Sequence, residues 1–279
     1  MEIIKSVNKL REISRAAREK GLTIGLVPTM GALHAGHISL VQRARAENDI
    51  VIVSIFVNPT QFNNPDDLRT YPRTEQADCD KLRAAGVDYA FIPTVDEIYP
   101  QPDTRTFDLG PVAQVMEGAM RPGHFNGVAQ IVSRLFDIVL PHRAYFGEKD
   151  FQQIAVIRRM VETEHFDIQI VDCPIKREPD GLALSSRNVR LTPAHRAEAP
   201  KIHQILAASV AGKSTKTVAQ VTADVIAAID ASPLMETEYY QIVDPLTLQP
   251  VKSWSDTPHP VGCVTVWCGD VRLIDNIKY

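Results

Sequence analysis

Up to about residue 173 the chain alternates β-branched apolar runs with stretches of helical period, and this alternation constrains the fold more than any other feature. Ile50–Val57 is a nearly continuous apolar run broken only by Ser54. That is the mark of a strand covered on both faces. Leu22–Val27, Asp88–Ile92, Ala144–Phe146 and Asp167–Val171 read as further strands. Leu10, Ile13, Ala16 and Ala17 recur at helical spacing after Ser6, with Gly21 available as a C-terminal cap. Ile38, Val41 and Ala44 share one face of a helix over His37–Glu47. Helices are also expected over Thr74–Ala85 (ending at Gly86), Val128–Val139 and Phe151–Glu164. Strands and helices in this order specify a parallel sheet with helices on both faces.

After Pro174 the pattern changes. Pro174 and Pro179 bracket the charged stretch Lys176-Arg177-Glu178, read as a hinge. Residues 192–231 are helical and Ala-rich. Glu238–Val243, Val261–Cys268 and Val271–Ile274 suggest a small antiparallel sheet, with Gly269-Asp270 as a tight turn. The expectation is an α/β chain: a doubly wound parallel sheet over 1–174 and a second, smaller α+β C-terminal domain over 175–279.

Composition excludes several function classes. With 44% hydrophobic residues the chain can bury a core and is not disordered. Thirty Lys and Arg against 34 Asp and Glu leave a net charge of -4 and no basic stripe, so no nucleic-acid partner is expected. Ile50–Val57 is far too short for a membrane helix, which needs ~20 residues. The N-terminus carries no signal-peptide pattern, and Cys79, Cys173, Cys263 and Cys268 form no CxxC pair. Buried reduced thiols in a cytoplasmic protein are the expectation.

In an open parallel sheet, ligands bind beyond the carboxyl ends of the strands. The turns to inspect are Pro28–His37, Asn58–Phe62 and Gly147–Asp150. His34-Ala35-Gly36-His37 puts two imidazoles one helical turn apart at a helix N-terminus, with Gly36 leaving the backbone bare between them. Free N–H groups and the helix dipole there favour an anion, so a phosphate site is one reading. Simple helix capping is another, and a zinc site lacks its third ligand. The turn is neither GxGxxG nor a Walker loop. Lys149 offers a point charge for a phosphate, or an ordinary ion pair with Glu148 or Asp150. Leu184-Ser185-Ser186-Arg187-Asn188 combines two hydroxyls and a guanidinium suited to polyphosphate oxygens, or to a helix cap. Arg121–Gly127 is a further polar loop in which Arg121 could clamp a carboxylate. Gln61 and Gln153 are two-sided hydrogen-bonders suited to a hydroxy acid, or surface amides.

Taken together, these segments resemble one family. Val27–His37 is similar to the HxGH segment of the nucleotidylyltransferase superfamily, and more narrowly to that of the pantothenate synthetase (pantoate–β-alanine ligase) family. So are Ser54–Pro59, Tyr71–Thr74, Arg121–Gly127, Phe146–Gln153, Asp180–Asn188 and Arg272–Asn276. The likeness spans nearly the whole chain and is loose at Ser209–Leu234 and Thr60. It implies a Rossmann-like N-terminal domain, a small C-terminal lid and a homodimer. It also implies an AMP-forming ligase: pantoate attacks MgATP to give pantoyl adenylate and pyrophosphate, and β-alanine then yields pantothenate and AMP. The resemblance makes Met30, Gly31, Ala32, Leu33, His34, Ala35, Gly36 and His37 an ATP-binding segment, with His37 the family's proton donor. Catalytic roles fall to His34, His37, Lys149 and Arg187. Gly147, Glu148, Lys149, Asp150, Lys176, Leu184, Ser185, Ser186 and Arg187 complete the ATP set. Gln61 and Gln153, with Met30, would line the pantoate pocket, and Gln61 would also meet β-alanine; no magnesium ligand is assigned. Closing the 175–188 hinge would keep water off the acyl adenylate. The rival readings are a superfamily cousin that joins a nucleotide to a phosphorylated cofactor precursor, and a nucleotide sensor without turnover.

Overall fold

A computed structural model describes residues 1–279, which divide into two compact units. The first comprises Met1–Gly110, Arg121–Glu148 and Gln153–Pro174; the second comprises Pro111–Met120, Lys149–Gln152 and Ile175–Tyr279.

The first unit is built on six strands: β1 (Glu2–Ile4), β2 (Ile24–Thr29), β3 (Ile50–Ile55), β4 (Tyr89–Phe91), β5 (Arg143–Gly147) and β6 (Gln169–Cys173). Their order is β1-β4-β3-β2-β5-β6, and every pair is parallel. Five helices of this unit carry the crossovers that matter here: α1 (Val7–Glu19), α2 (Ala35–Glu47), α3 (Glu75–Ala84), α4 (His124–Val139) and α5 (Phe151–Thr163). Val51, Val53 and Ile55 of β3 pack with Leu40, Val41 and Ala44 of α2 and with Leu82 of α3. Leu26 and Ile52 point the other way by strand alternation and are also fully buried. Burial on both faces is why these strands read as unbroken apolar runs. Ser6 caps α1 through Lys9 N–H, and Gly21 follows its end in the left-handed region (φ +71°).

Several expectations shift by a few residues. β2 runs two residues further than the apolar run suggests and takes in Pro28. A proline lacks the ladder N–H, but β5 pairs with β2 only at Gly25 and Leu26, so Pro28 breaks no bond on that side. β1, a three-residue edge strand, has no counterpart among the expected strands. α4 begins at His124, four residues early, behind Gly123 in the left-handed region.

The second unit holds an antiparallel sheet in the order β7 (Glu236–Val243), β8 (Val261–Cys268) and β9 (Val271–Lys278). Gly269-Asp270 is the turn between β8 and β9, since Cys268 and Val271 face each other. Two helices, α6 (Pro200–Ser209) and α7 (Val218–Asp230), supply Leu206, Val221, Val225 and Ile229 to a core completed by Tyr240, Val264, Val266 and Leu273. The units are not the contiguous stretches 1–174 and 175–279. Glu117 and Gln152 tie two earlier segments to the C-terminal sheet by hydrogen bonds that no local pattern announces.

The expected hinge is a hairpin. Leu184 N–H donates to Lys176 O (3.0 Å), Glu178 N–H donates to Leu182 O (2.8 Å), and Arg177 bridges to Ala183. All four cysteines are buried, unpaired thiols. Burial pushes Cys173 and Cys268 up to about 11 and Cys263 up to about 12, so they stay protonated near neutrality. No helix is long and apolar enough to cross a membrane.

Candidate active site

In the first unit, β2 lies between β3 and β5, and the direction of winding reverses between β2 and β5. The carboxyl ends of those two strands are therefore the expected ligand position. The loop after β2 is held in an unusual shape. Gly31 (φ +80°) and Ala32 (φ +49°) are both left-handed, the second at the cost a Cβ carries there. The fully buried Asp78 of α3 fixes them: its carboxylate accepts from Ala32 N–H (2.8 Å) and Leu33 N–H (2.7 Å). Thr29 Oγ1 accepts from Gly31 N–H (3.2 Å) and donates to Ser54 O (2.6 Å), while Lys81 Nζ donates to Leu33 O (2.5 Å).

That frame sets the two histidines. His34 Nδ1 accepts from Gly36 N–H (3.1 Å), and His37 Nδ1 accepts from His34 N–H (3.3 Å), a reciprocal cap on α2. The ring centroids are 4.1 Å apart. The capping reading of these histidines is thus correct, and it has a chemical consequence. An Nδ1 that accepts is deprotonated, so each neutral ring carries its proton on Nε2. Capping turns both rings into Nε2–H donors at the positive end of a helix dipole.

Gln61 follows β3 in a short turn, Pro59–Gln61. Its Oε1 accepts from Asn58 Nδ2 (3.1 Å) and its Nε2 donates towards Met30 Sδ (3.4 Å). Asn58 is itself buried; its Nδ2 also donates to Gly127 O (3.1 Å), and Tyr99 O–H donates to its Oδ1 (2.9 Å). Desolvation pushes the Tyr99 phenol up, which keeps it a donor. Arg121 Nη1 lies 3.3 Å from His124 Nε2, so His124 holds its proton on Nδ1 and donates it to Gln61 O (2.8 Å). The Arg121–Gly127 loop packs so closely on the turn that a Cβ at Gly127 would meet Thr60 O at 2.4 Å. Gly147 ends β5, and Gln153 is half-buried in the first turn of α5.

In the second unit, Lys149 and Ser185 line one small cleft with Ala183, Asn188, Ile274 and Asp275. Lys149 Nζ is 4.0 Å from Asp150 Oδ2, the ion pair expected of a loop lysine, yet its side chain is mostly covered. Ser185 caps the turn Ser186–Arg190 by accepting from Arg187 N–H (3.3 Å), and Asn188 Nδ2 donates to Ala183 O (3.0 Å). Lys176 is exposed at the base of the hairpin. Within each unit the sequence candidates thus come together: Met30, His34, His37 and Gln61 on the crest of the parallel sheet, and Lys149 with Ser185 in the cleft. Of the residues that hold the first group, Asn58 and His124 lie in the turn Asn58–Phe62 and the loop Arg121–Gly127 singled out from sequence, without a role of their own there, and Asp78 lies in no candidate segment. Asp78 leaves one faint signal, an acidic residue four before the apolar Leu82 on the buried face of α3.

A doubly wound parallel sheet whose β2–β3 crossover helix starts with two donor imidazoles defines a nucleotide-binding α/β protein. The chain belongs to the pantoate-beta-alanine ligase family, whose model matches residues 2–278. It is 57% identical to the pantothenate synthetase of Bacteroides fragilis over 279 residues, covering 100% of this chain and 99% of that one. The crystal structure of pantothenate synthetase from Thermus thermophilus superposes with a TM-score of 0.91 at 45% identity, over 99% of both chains. The pantoate-beta-alanine ligase of Francisella tularensis, complexed with beta-gamma ATP and beta-alanine, gives a TM-score of 0.83 at 37% identity, over 99% of this chain and 97% of that one.

Proposed function

We propose that this chain is an ATP-dependent ligase that condenses (R)-pantoate with β-alanine to give pantothenate. The observation that carries the reading is the crest loop pinned by Asp78, with two Nε2–H imidazoles capping α2 at the carboxyl end of β2. Family membership over the full chain supports the substrates.

The reaction runs in two displacements. A pantoate carboxylate oxygen forms a bond to the α-phosphorus while the bond from that phosphorus to the bridging oxygen breaks, and pyrophosphate leaves. The amine of β-alanine then bonds to the acyl carbon of pantoyl adenylate, the acyl C–O bond breaks, AMP leaves and the nitrogen sheds a proton. The first displacement asks the protein mainly for positioning and charge stabilisation. His34 and His37 supply donors to the α-phosphate; His37 acts by stabilising charge, because pyrophosphate on magnesium leaves without a proton. Lys149, Ser185, Ser186 and Arg187 hold the β- and γ-phosphates, Gly147 and Asp150 the ribose, and the Lys176 backbone the adenine edge, with Glu148 and Leu184 in the same segments. Met30, Gln61 and Gln153 face pantoate, and Gln61 also serves β-alanine. Magnesium enters bound to the phosphates of ATP, as part of that substrate. The working form is a homodimer in the cytoplasm, where buried thiols stay reduced.

The test is incubation with ATP, magnesium, pantoate and β-alanine, with each omitted in turn. Pantothenate and AMP should appear only in the complete mixture, whereas omitting β-alanine alone should still leave pyrophosphate release from the first displacement. ATP consumption without pantothenate, or a dinucleotide product, would overturn the reading. Sedimentation of the pure protein checks the dimer.

A further inference from the structure

Three residues of β9 are spent on segments that are remote in sequence. Arg272 forks onto Glu117 (2.6 and 2.7 Å) and also donates to Glu238 (2.9 Å). Glu117, from Pro111–Met120, is buried, and Tyr239 O–H (2.8 Å) and Thr265 O–H (3.0 Å) donate to it as well. Its backbone N–H donates to Gln152 Oε1 (3.0 Å), while Gln152 Nε2 donates to Val112 O (2.8 Å) and Val115 O (2.7 Å). So Arg272 fastens one segment, and that segment fastens the end of Lys149–Gln152.

Asn276 stands four residues on, on the same face of the strand. It is 4% exposed, and its Nδ2 donates to the backbone carbonyl of Lys149 (3.3 Å). The Lys149 turn is therefore tied at both ends to one strand. Asp275 faces the other way. Its carboxylate takes a fork from Arg177 (2.6 and 2.9 Å) and the N–H of Asn276 (2.8 Å). Arg177 begins the hairpin that leads to Ser185–Arg187 and donates to Gly181 O within it (3.2 Å). The strand thus sets the lysine turn and the serine-arginine segment in register, and Asp275 lines the cleft that Lys149 and Ser185 share.

We propose that Asn276, Asp275 and Arg272 are positioning residues for the nucleotide. They build the phosphate grip of the second unit before ATP arrives, so binding does not bear the entropy of assembling it. This rests on the proposed function, which places Lys149 and Ser185–Arg187 on the phosphates.

Asn276→Ala tests it in the full-length protein. Binding of magnesium β,γ-methylene-ATP should weaken about five- to tenfold, the size of one lost hydrogen bond to a positioned group, and the KM for ATP should rise by the same factor. The acyl-transfer step, run from synthetic pantoyl adenylate and β-alanine, should stay within twofold of wild type. Arg177→Lys keeps the charge but loses the fork, and should shift analogue binding in the same direction. It carries the same criterion should Asn276→Ala not fold. Leu206→Ala, in the core of the same unit, is the control: it should lower the melting temperature and leave analogue affinity unchanged. Analogue affinity within twofold of wild type, or equal loss in both half-reactions, would overturn the proposal. A wild-type protein that binds the analogue but makes no pantothenate would sink the functional reading alone, since the binding criterion does not use pantoate.

Discussion

Asp78→Asn is the most informative single change in the crest loop. The carboxylate is fully buried and accepts two backbone N–H groups, from Ala32 at 2.8 Å and Leu33 at 2.7 Å. An amide of the same shape keeps one acceptor and turns an NH2 group towards the other N–H. One hydrogen bond to a charged group is lost, ~1.5–3 kcal/mol, and two donors are set face to face. Relief of the buried charge offsets part of this, so we expect a net loss of about 2 kcal/mol. For a chain of this size that corresponds to a fall in melting temperature of about 4–8 °C. Function should suffer alongside stability. Gly31 and Ala32 adopt left-handed backbone, and without Asp78 the loop relaxes towards cheaper angles. A shift of about 1 Å at the histidines costs up to ~10²-fold, so kcat/KM for ATP should fall ten- to a hundredfold. Thermal and urea unfolding measure the first effect, and pyrophosphate release from ATP and pantoate the second. Asp80→Asn is the control, since Asp80 is exposed and meets Arg83 (2.7 Å) and Gln76 (3.1 Å) on its own helix. A variant within ~0.5 kcal/mol of wild type and within threefold in kcat/KM would refute the argument that Asp78 shapes the loop.

His37→Ala removes a donor used more in the transition state than in the ground state, and pyrophosphate release should fall ~10²–10³-fold; a change under threefold would reject the role. Lys149→Ala should slow adenylation yet spare acyl transfer from synthetic pantoyl adenylate, and equal slowing of both steps would count against it. In the first unit, hydrogen bonds from Arg105, and then from Arg134, hold the Asp103 carboxyl far below the usual carboxylate range, although burial opposes them. A depressed folded value adds stability above the unfolded pKa of about 4 that disappears as pH falls below it. The gap in melting temperature between wild type and Asp103→Asn should therefore narrow from pH 6 to pH 3, and a gap independent of pH would contradict the assignment.

The parts of this fold legible in sequence are those where burial repeats along the chain. β3 is apolar on both faces, so its run can be read directly, as can the strand–helix rhythm and the antiparallel trio after residue 230. β1 is three residues long and pairs only at an edge, so it leaves no periodicity to detect. The histidine pair is legible because HxxH at a strand end is a local pattern. Asp78 is not, because its partners are backbone groups 45 and 46 residues away, and backbone has no letter in the sequence. The interleaving of the two units is invisible for the same reason. It depends on Glu117 meeting Arg272 across 155 residues and on Gln152 meeting main-chain carbonyls. Reading Lys176–Glu178 as a hinge weighs its prolines and charges, whereas the fork between Arg177 and Asp275 makes that stretch part of a fixed hairpin.

β9 is translated after every other strand and helix of the chain. On a ribosome, a nascent polypeptide can finish its parallel sheet and still have nothing to fasten Lys149 or the hairpin to. Under the proposed positioning role, competence for the nucleotide then waits until β9 itself has emerged. By the same logic, a protease that trims this strand would silence the enzyme while leaving every group proposed to touch a phosphate in the chain.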